Sequence, residues 1–153
     1  AGAIVQKIIN YETTEPVVWN ETLTFVADNA DDGGQYATDT DILISSYLPV
    51  DYSVEKVYYG ITHPTASAVK TALLSAINTG RLIVHYAGHS GIQKWGDENF
   101  LSIADVLALS NGDKLPFVLP MTCLEGNFSY PSPATNINKN ASIGESFVRK
   151  TVG

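Results

Sequence analysis

Residues 82–91, LIVHYAGHSG, and residues 116–126, PFVLPMTCLEG, decide how this chain is organised. Each begins with a short apolar run of the kind that forms a strand buried on both faces of a sheet. Each then ends in a polar turn that contains glycine. The first turn carries His89 and the second carries Cys123, the only cysteine in the 153-residue chain.

These two turns are predicted to lie together. Neighbouring parallel strands end at the same edge of a sheet, and open α/β folds bind ligands at that carboxyl edge. His89 and Cys123 would then face one cleft. A free cysteine has a pKa of about 8.5, so a nucleophilic cysteine needs a partner such as an imidazole. The alternative is that Cys123 packs as a small apolar side chain and His89 is an ordinary loop residue.

The rest of the chain alternates between strand-like and helix-like patterns. Two further apolar runs predict strands at 22–27 and 54–59, so four predicted strands are separated by helices. The pattern predicts an α/β fold, a three-layer sandwich with a mainly parallel sheet and right-handed crossovers. The helices are predicted at residues 3–12, 38–48, 66–77 and 103–109, with a last helix capped by Ser142. Residues 92–99 and 127–138 are predicted loops, the second over the edge of the cleft.

Several blocks of sequence resemble the gingipain-type cysteine peptidases, which belong to the wider caspase-like group. The resemblance runs from about Ile4 to the end of the chain, and its blocks follow the family's order. The blocks are Gly88-His89, Trp95-Gly96, residues 111–116 (NGDKLP), residues 122–126 (TCLEG) and residues 142–146 (SIGES). The resemblance implies a caspase-like sheet with strand order 2-1-3-4 and a hydrolase that cleaves peptide bonds.

The resemblance also implies roles for individual residues. The family's catalytic dyad of a histidine and a cysteine corresponds to His89 and Cys123. Its oxyanion donors, the amide after the histidine and that of the cysteine, correspond to the amides of Ser90 and Cys123. The family usually has glycine directly after the histidine, whereas this chain has Ser90 and then Gly91.

Four residues are predicted to contact the substrate. Asp39 lies where arginine-preferring members of the family have an acid that pairs with the basic side chain before the cut. Alternatively, Asp39 or Thr38 caps the helix that starts there. Gly88 lets a peptide approach the main chain, and Thr122 belongs to the cysteine block. Trp95 either forms a wall of the pocket or covers the core.

The turn at residues 28–34, DNADDGG, follows the first predicted strand. Its functional interpretation is the acid that orients the catalytic histidine, with Asp32 and Asp28 as alternatives. A second interpretation is a calcium loop that has Asp28, Asp32 and Asp39 among its ligand positions. The third is a solvated turn with capping aspartates.

Composition and charge exclude several classes of partner. A formal charge of −7 argues against nucleic acid and anionic membrane surfaces, and it suits a cationic peptide. No apolar run is long enough to span a membrane. His85 and His89 are four residues apart, which in a strand separates them by about 13 Å, so a zinc site is disfavoured. No cofactor is expected to be required.

The sequence thus predicts one cysteine endopeptidase domain over residues 1–153. The family has further strands on both sides, so the chain is expected to be a partial domain, truncated at both ends. Expected partners are a peptide or protein substrate and other segments of the chain's own precursor. By resemblance, the protein is expected to be exported by a bacterium or archaeon, and secreted or held at the cell surface. The alternative is a non-catalytic scaffold or binding fragment that lacks a complete substrate pocket.

Overall fold

The computed structural model describes residues 2–13, 15, 18–129 and 141–151. Four of its strands form the central sheet: β1 (Thr22–Ala27), β2 (Ser53–Tyr58), β3 (Ile83–Ala87) and β7 (Phe117–Met121). The short strands β4 (Ser90–Gly91), β5 (Lys94–Trp95) and β6 (Leu101–Ser102) form a separate antiparallel sheet. The helices are α1 (Gly2–Thr13), α2 (Tyr36–Tyr47), α3 (Ala66–Thr79), α4 (Ile103–Leu107) and α5 (Ile143–Arg149), with a 3-10 turn at Val18–Glu21.

The central sheet has the predicted topology. Its strand order is β2-β1-β3-β7, and every pair is parallel. This order equals the expected 2-1-3-4, because β7 is the fourth strand of this sheet along the chain. Each connection is too long for a hairpin and contains a helix, as parallel pairing requires.

Helices cover the sheet on both faces, which gives the predicted three layers. On one face, apolar residues of β1 pack with Tyr36, Ala37 and Ile44 of α2. On the other face, a larger cluster joins the sheet to α3, α4 and α5 through buried side chains such as Val69, Leu73, Val106 and Ile143. Among the described residues, no helix is both long and apolar enough to cross a bilayer.

The start of α2 differs from the sequence prediction. The helix begins at Tyr36, two residues before the expected cap, and Gln35 at the N-cap position makes no side-chain capping hydrogen bond. Thr38 and Asp39 therefore lie inside the first turn, and neither caps the helix. The amide of Asp39 donates to the carbonyl of Gln35 at 2.9 Å, so the first helical hydrogen bond forms before the expected cap. Ser142 does cap α5, because its hydroxyl accepts a hydrogen bond from the amide of Glu145.

Two further predictions are corrected. Residues 92–99, expected to be a loop, include β5 of the small antiparallel sheet. The two apolar runs were both expected to be buried on both faces, and this is true only of β3. In β7, Phe117 and Met121 are more than 60% exposed and exposed residues alternate along the strand, so one face of β7 is left uncovered by the described residues. The described residues of the predicted loop 127–138 end at residue 129, and the rest of it lies outside the described part of the chain.

Candidate active site

The structure brings the turn with His89 and the turn with Cys123 together at the carboxyl edge of the sheet. β3 and β7 pair in parallel with Ala87 opposite Met121. His89 and Cys123 each lie two residues beyond that pair. The two turns therefore leave the sheet side by side, as the apolar runs predict.

Gly88 lies at a crowded point where the two turns meet. The hydroxyl of Thr122 donates a 2.6 Å hydrogen bond to the carbonyl oxygen of Gly88 and so links one turn to the other. A Cβ atom on Gly88 would lie 2.5 Å from Cβ of Asp28 and 2.6 Å from the hydroxyl of Tyr86. Such distances are shorter than any van der Waals contact, so this position requires glycine.

The main chain of His89 is held on both sides. Its N–H donates to Oδ2 of Asp28 at 3.3 Å. Its carbonyl accepts from the hydroxyl of Tyr86 at 2.6 Å and from the amide of Gly96 at 2.8 Å. The pKa of Tyr86 is well above its usual range because its hydroxyl is buried and faces the Asp28 carboxylate. Tyr86 therefore stays a neutral donor that fixes the histidine turn.

The imidazole of His89 contacts one acid and one tyrosine. Its Nε2 atom lies 2.9 Å from Oδ2 of Asp31 and 3.2 Å from the hydroxyl of Tyr36. An ionised carboxylate only accepts hydrogen bonds, so Nε2 carries the hydrogen in this contact. Within the described part of the chain, the Nδ1 atom of His89 has no hydrogen-bond partner. Nδ1 is thus the nitrogen available for proton exchange.

Asp31 was missed by the sequence analysis, which expected Asp28 or Asp32 beside the ring. The structure places Asp28 under the main chain of His89, and Asp32 lies exposed in the turn. The tight turn between Asp31 and Gly34, which exchange two backbone hydrogen bonds of 3.2 Å, explains the difference. It directs the Asp31 side chain, and not that of its neighbour, toward the histidine.

The turn itself keeps Asp31 ionised. The N–H of Gly33 donates to Oδ1 of Asp31 at 2.7 Å and lowers the pKa of this carboxyl below its usual range. Partial burial opposes the shift, and the hydrogen bond and charge of His89 reinforce it. A side chain that bonds the amide two residues later is the signature of an Asx-turn. The Asp-x-Gly pattern of residues 31–33 therefore indicates, from the sequence alone, that Asp31 forms this turn.

The loop at Cys123 combines an exposed sulfur with a strained backbone. The thiol is free and exposed. The next residue, Leu124, has a φ of 60°, which a non-glycine residue adopts only at a cost. Among the residues that the structure describes, the amide of Cys123 donates no hydrogen bond. The other expected oxyanion donor follows His89 in the chain, and the side chain of Ser90 is bonded within its own hairpin, to the carbonyls of Gly91 and Lys94.

Trp95 and Glu125 form a buried bridge between the two turns. Trp95 has no exposed surface, and its ring stacks on Tyr86 at 4.8 Å. Of the two interpretations of Trp95, the observed position is the one that covers the core, and it offers no surface to a peptide. The indole N–H donates a 2.6 Å hydrogen bond to the Glu125 carboxylate. Burial raises the pKa of Glu125 to about 7, and the indole hydrogen bond opposes this rise.

Glu125 is a second site residue that the sequence analysis missed. The amide of Gly144 at the start of α5 donates to its carbonyl, and a Cβ on Gly144 would lie 2.8 Å from that oxygen. The cysteine loop is therefore packed tightly against α5. A buried indole requires a hydrogen-bond partner, but nothing local connects residue 95 to residue 125.

The other expected site residues occupy separate positions. Asp39 is exposed in the first turn of α2. Asp28, Asp32 and Asp39, the acids of the calcium interpretation, do not converge. Across the described ranges, no group of three or more His, Cys, Asp or Glu side chains is placed to hold a metal ion.

Comparisons with known proteins relate this arrangement to one family. The model of "Peptidase family C25" matches residues 1–153. Gingipain R2 of Porphyromonas gingivalis is 33% identical over 61 residues, which are 40% of this chain and 8% of that protein. Gingipain R1 of the same species has the same identity over 61 residues, which are 6% of its length.

Solved structures show the same fold. The crystal structure of the Arg-specific cysteine proteinase gingipain R matches with a TM-score of 0.74 and 21% identity, over 99% of this chain and 35% of that one. A complex of the RgpB pro- and mature domains from P. gingivalis matches with a TM-score of 0.69 over the same shares. This chain thus spans about a third of the solved chains and under a tenth of the curated relatives. The family model covers the whole chain, which therefore belongs to peptidase family C25.

Proposed function

We propose that this chain carries the catalytic core of a cysteine endopeptidase. The Cys123 thiol gives its proton to His89 and its Sγ attacks the carbonyl carbon of a peptide bond, so a carbon–sulfur bond forms as the carbonyl π bond opens. His89 then protonates the leaving amine as the carbon–nitrogen bond breaks. Water, deprotonated by His89, hydrolyses the resulting thioester and releases the thiol. No step requires a cofactor.

One observation carries this proposal. The Ala87–Met121 register puts an imidazole turn and an exposed thiol turn next to each other at the carboxyl edge of a parallel sheet. Adjacent parallel strands present their following loops to a common crevice in such folds. The hydrogen bond between Thr122 and Gly88 supports this proximity independently.

Supporting roles follow from the local contacts. Asp31, rather than either acid expected from the sequence, orients His89 through Nε2 and leaves Nδ1 for proton transfer. The amides of Cys123 and Ser90 are the proposed oxyanion donors. The absence of an acceptor for the Cys123 amide within the described residues suits this role. Gly88 and Thr122 are proposed to line the bound peptide.

A preference for a basic residue before the cut is a further part of the proposal. Asp39 lies three residues after Tyr36 in α2, and residues three apart lie on one face of a helix. Tyr36 contacts His89, so Asp39 lies on the face of α2 that points toward the site. A carboxylate there can pair with an arginine or lysine side chain. The related gingipain R is described as Arg-specific.

Location and partners are proposed by similarity. The complex of pro- and mature domains in a related structure suggests that segments of this chain's own precursor bind near the site. We also propose that the protein is exported, and secreted or held at the cell surface.

The decisive experiment is covalent labelling. A peptidyl acyloxymethyl ketone with arginine next to the warhead should add to Cys123, and intact-mass measurement with peptide mapping would locate the adduct. Cys123→Ala should abolish labelling and His89→Gln should slow it by at least about 100-fold, the usual contribution of general acid–base catalysis. A reagent with glutamate in place of arginine should label the parent more slowly than the arginine reagent does. Asp39→Asn should reduce this difference in labelling rate. Absence of labelling on the full-length parent overturns the proposal.

A non-catalytic binding role is the alternative, and one region of the surface favours it. An apolar cavity of about 510 Å³ lies between α1, α5 and β7 and reaches Glu125 and Gly126 of the cysteine turn, and Ile4, Ile8 and Phe147 are also among its lining residues. This alternative predicts that the reagent does not label the parent. It also predicts that Cys123→Ala is indistinguishable from the parent in every assay.

A further inference from the structure

Tyr36 lies against the histidine without belonging to any block of the family resemblance. Its hydroxyl is 3.2 Å from Nε2 of His89, and the two rings meet edge to face, with centroids 5.7 Å apart and planes at 79°. Asp31 Oδ2 lies 2.9 Å from the same nitrogen. The acid and the tyrosine therefore share one side of the imidazole.

The chemistry of the three groups fixes how their hydrogens are arranged. Nε2–H points at two oxygens, and only the tyrosine oxygen has a hydrogen of its own to donate. Burial raises the pKa of Tyr36, and the negative charges of Asp31, Asp28 and Cys123 add to that rise. The hydroxyl therefore stays protonated, and its interaction with the Asp31 carboxylate contributes to the raised pKa.

The surrounding chain makes room for this contact. A Cβ atom on Gly33 would lie 2.5 Å from the Tyr36 hydroxyl and 3.0 Å from Cε1 of His89. Helix α2 also begins at Tyr36 without a side-chain cap on Gln35, although capping normally contributes about 1 kcal/mol. The local sequence thus leaves the helix end uncapped while Tyr36 reaches the histidine.

We propose that Tyr36 is a positioning residue of the peptidase site, whose hydroxyl and ring hold His89 with Nε2 toward Asp31 and Nδ1 toward the thiol. The hydroxyl also interacts with the Asp31 carboxylate, and it thereby weakens the stabilisation that this negative charge gives to the imidazolium. This inference rests on the proposed function, because it assigns Tyr36 a role in that reaction.

The role predicts opposite effects for two neighbouring substitutions. Asp31 and Tyr36 contact the His89 ring, Asp28 accepts from its main-chain amide, and the charge of Cys123 acts on Tyr36. Tyr36→Phe keeps the ring and removes the hydroxyl, so the Asp31 charge stabilises the imidazolium more strongly. Asp31→Asn removes that charge and keeps the shape of the side chain. The pH at which the reactivity of the site changes should therefore move up in the first variant and down in the second.

Alkylation of Cys123 by iodoacetamide measures this pH without requiring a complete substrate pocket. The chain has a single cysteine, so every adduct reports on one site. When His89 and Cys123 act as a pair, the rate constant changes with pH in two steps, and the upper step is the transition to follow. This transition should move up by about half a pH unit in Tyr36→Phe and down by about one unit in Asp31→Asn.

The matched control is Tyr47→Phe, because Tyr47 is 81% exposed at the other end of the same helix. This variant should keep the parent profile. A thermal unfolding curve of each variant confirms that it is folded.

The outcomes separate the inference from the proposed function. A parent profile with two transitions, together with a Tyr36→Phe profile equal to that of Tyr47→Phe, overturns the role of Tyr36 and leaves the peptidase proposal intact. A parent profile with the single ionisation of an isolated thiol overturns both. Shifts of opposite sign in Tyr36→Phe and Asp31→Asn support the inference, because a purely structural role of Tyr36 would lower the rate without moving the transition.

Discussion

The two halves of the candidate active site are built in different ways. The histidine half follows β3, which pairs with strands on both sides and has a buried centre. Asp28, Tyr86 and Gly96 then fix the main chain of His89. The cysteine half follows β7, which pairs only with β3 among the described strands and exposes Phe117 and Met121.

This difference shows where the site gains its order. The main chain of His89 is held by the sheet and by buried polar groups, and its ring is held by the exposed contacts with Asp31 and Tyr36. The position of the thiol depends on a strained turn at Leu124 and on a few contacts from the histidine half. Two of these contacts are the Trp95–Glu125 hydrogen bond and the Thr122–Gly88 hydrogen bond. Removing each in turn tests how much the cysteine half relies on them.

The largest effect is expected from Trp95→Ala. The side chain is completely buried, stacks on Tyr86 and donates to Glu125, so truncation leaves a cavity and an unpaired buried carboxyl group. The free energy of unfolding should fall by about 3 to 5 kcal/mol, the usual range for a buried aromatic residue. Denaturant unfolding followed by circular dichroism measures the loss.

The second tryptophan of the chain provides the control. Trp19 is half-buried and contacts Tyr11 at a centroid distance of 6.4 Å, away from both turns. Trp19→Ala should lose clearly less stability and leave the alkylation rate of Cys123 unchanged. Equal losses in the two variants would show that Trp95 is no special link between the halves.

A smaller effect, confined to one pH range, is expected from Glu125→Gln. The pKa of Glu125 rises from an ordinary 4.5 to about 7 in the folded chain, chiefly because of burial. Between these values the folded state holds a proton that the unfolded state has lost, so stability falls as pH rises from about 4.5 to about 7. At about 1.4 kcal/mol per pKa unit, the total change is about 3 kcal/mol.

Glutamine has no proton to lose, so the variant should not show this decline. The unfolding free energy of each variant is measured at pH 5 and at pH 7.5. The control is Glu12→Gln at an exposed position of α1, which should show the same change of unfolding free energy with pH as the parent. If the unfolding free energy of Glu125→Gln falls with pH as steeply as that of the parent, another group causes the loss of stability.

Much of the fold could be predicted because it depends on local patterns. The apolar runs and helical periodicities located the four strands of the central sheet, and the resemblance supplied their order. The two turns came together as expected, since strand register alone brings them there. The exposure of alternate residues in β7 could not be predicted in this way, because the composition of this strand equals that of a fully buried one. Exposure depends on what packs against the strand.

The fine structure of the site was harder to predict, for identifiable reasons. Asp31 could have been chosen over Asp28 and Asp32, had the Asx-turn pattern before Gly33 been weighed. Tyr36 and Glu125 gave no such signal. Their partners lie 53 and 30 residues away in the chain, and only the assembled sheet makes the contacts.

The smallest expected effect is that of Thr122→Val, which tests the remaining link between the halves. Valine keeps the shape of threonine but cannot donate to the carbonyl of Gly88. The loss of one neutral hydrogen bond should cost about 1 kcal/mol in unfolding free energy. Thr71→Val on the exposed side of α3 makes the same chemical change without a described partner, and it should stay within about 0.5 kcal/mol of the parent. If Thr122→Val also slows alkylation of Cys123 while Thr71→Val does not, the hydrogen bond positions the thiol turn. Equal behaviour of the two variants in both assays would mean that β-sheet pairing alone holds the cysteine half in place.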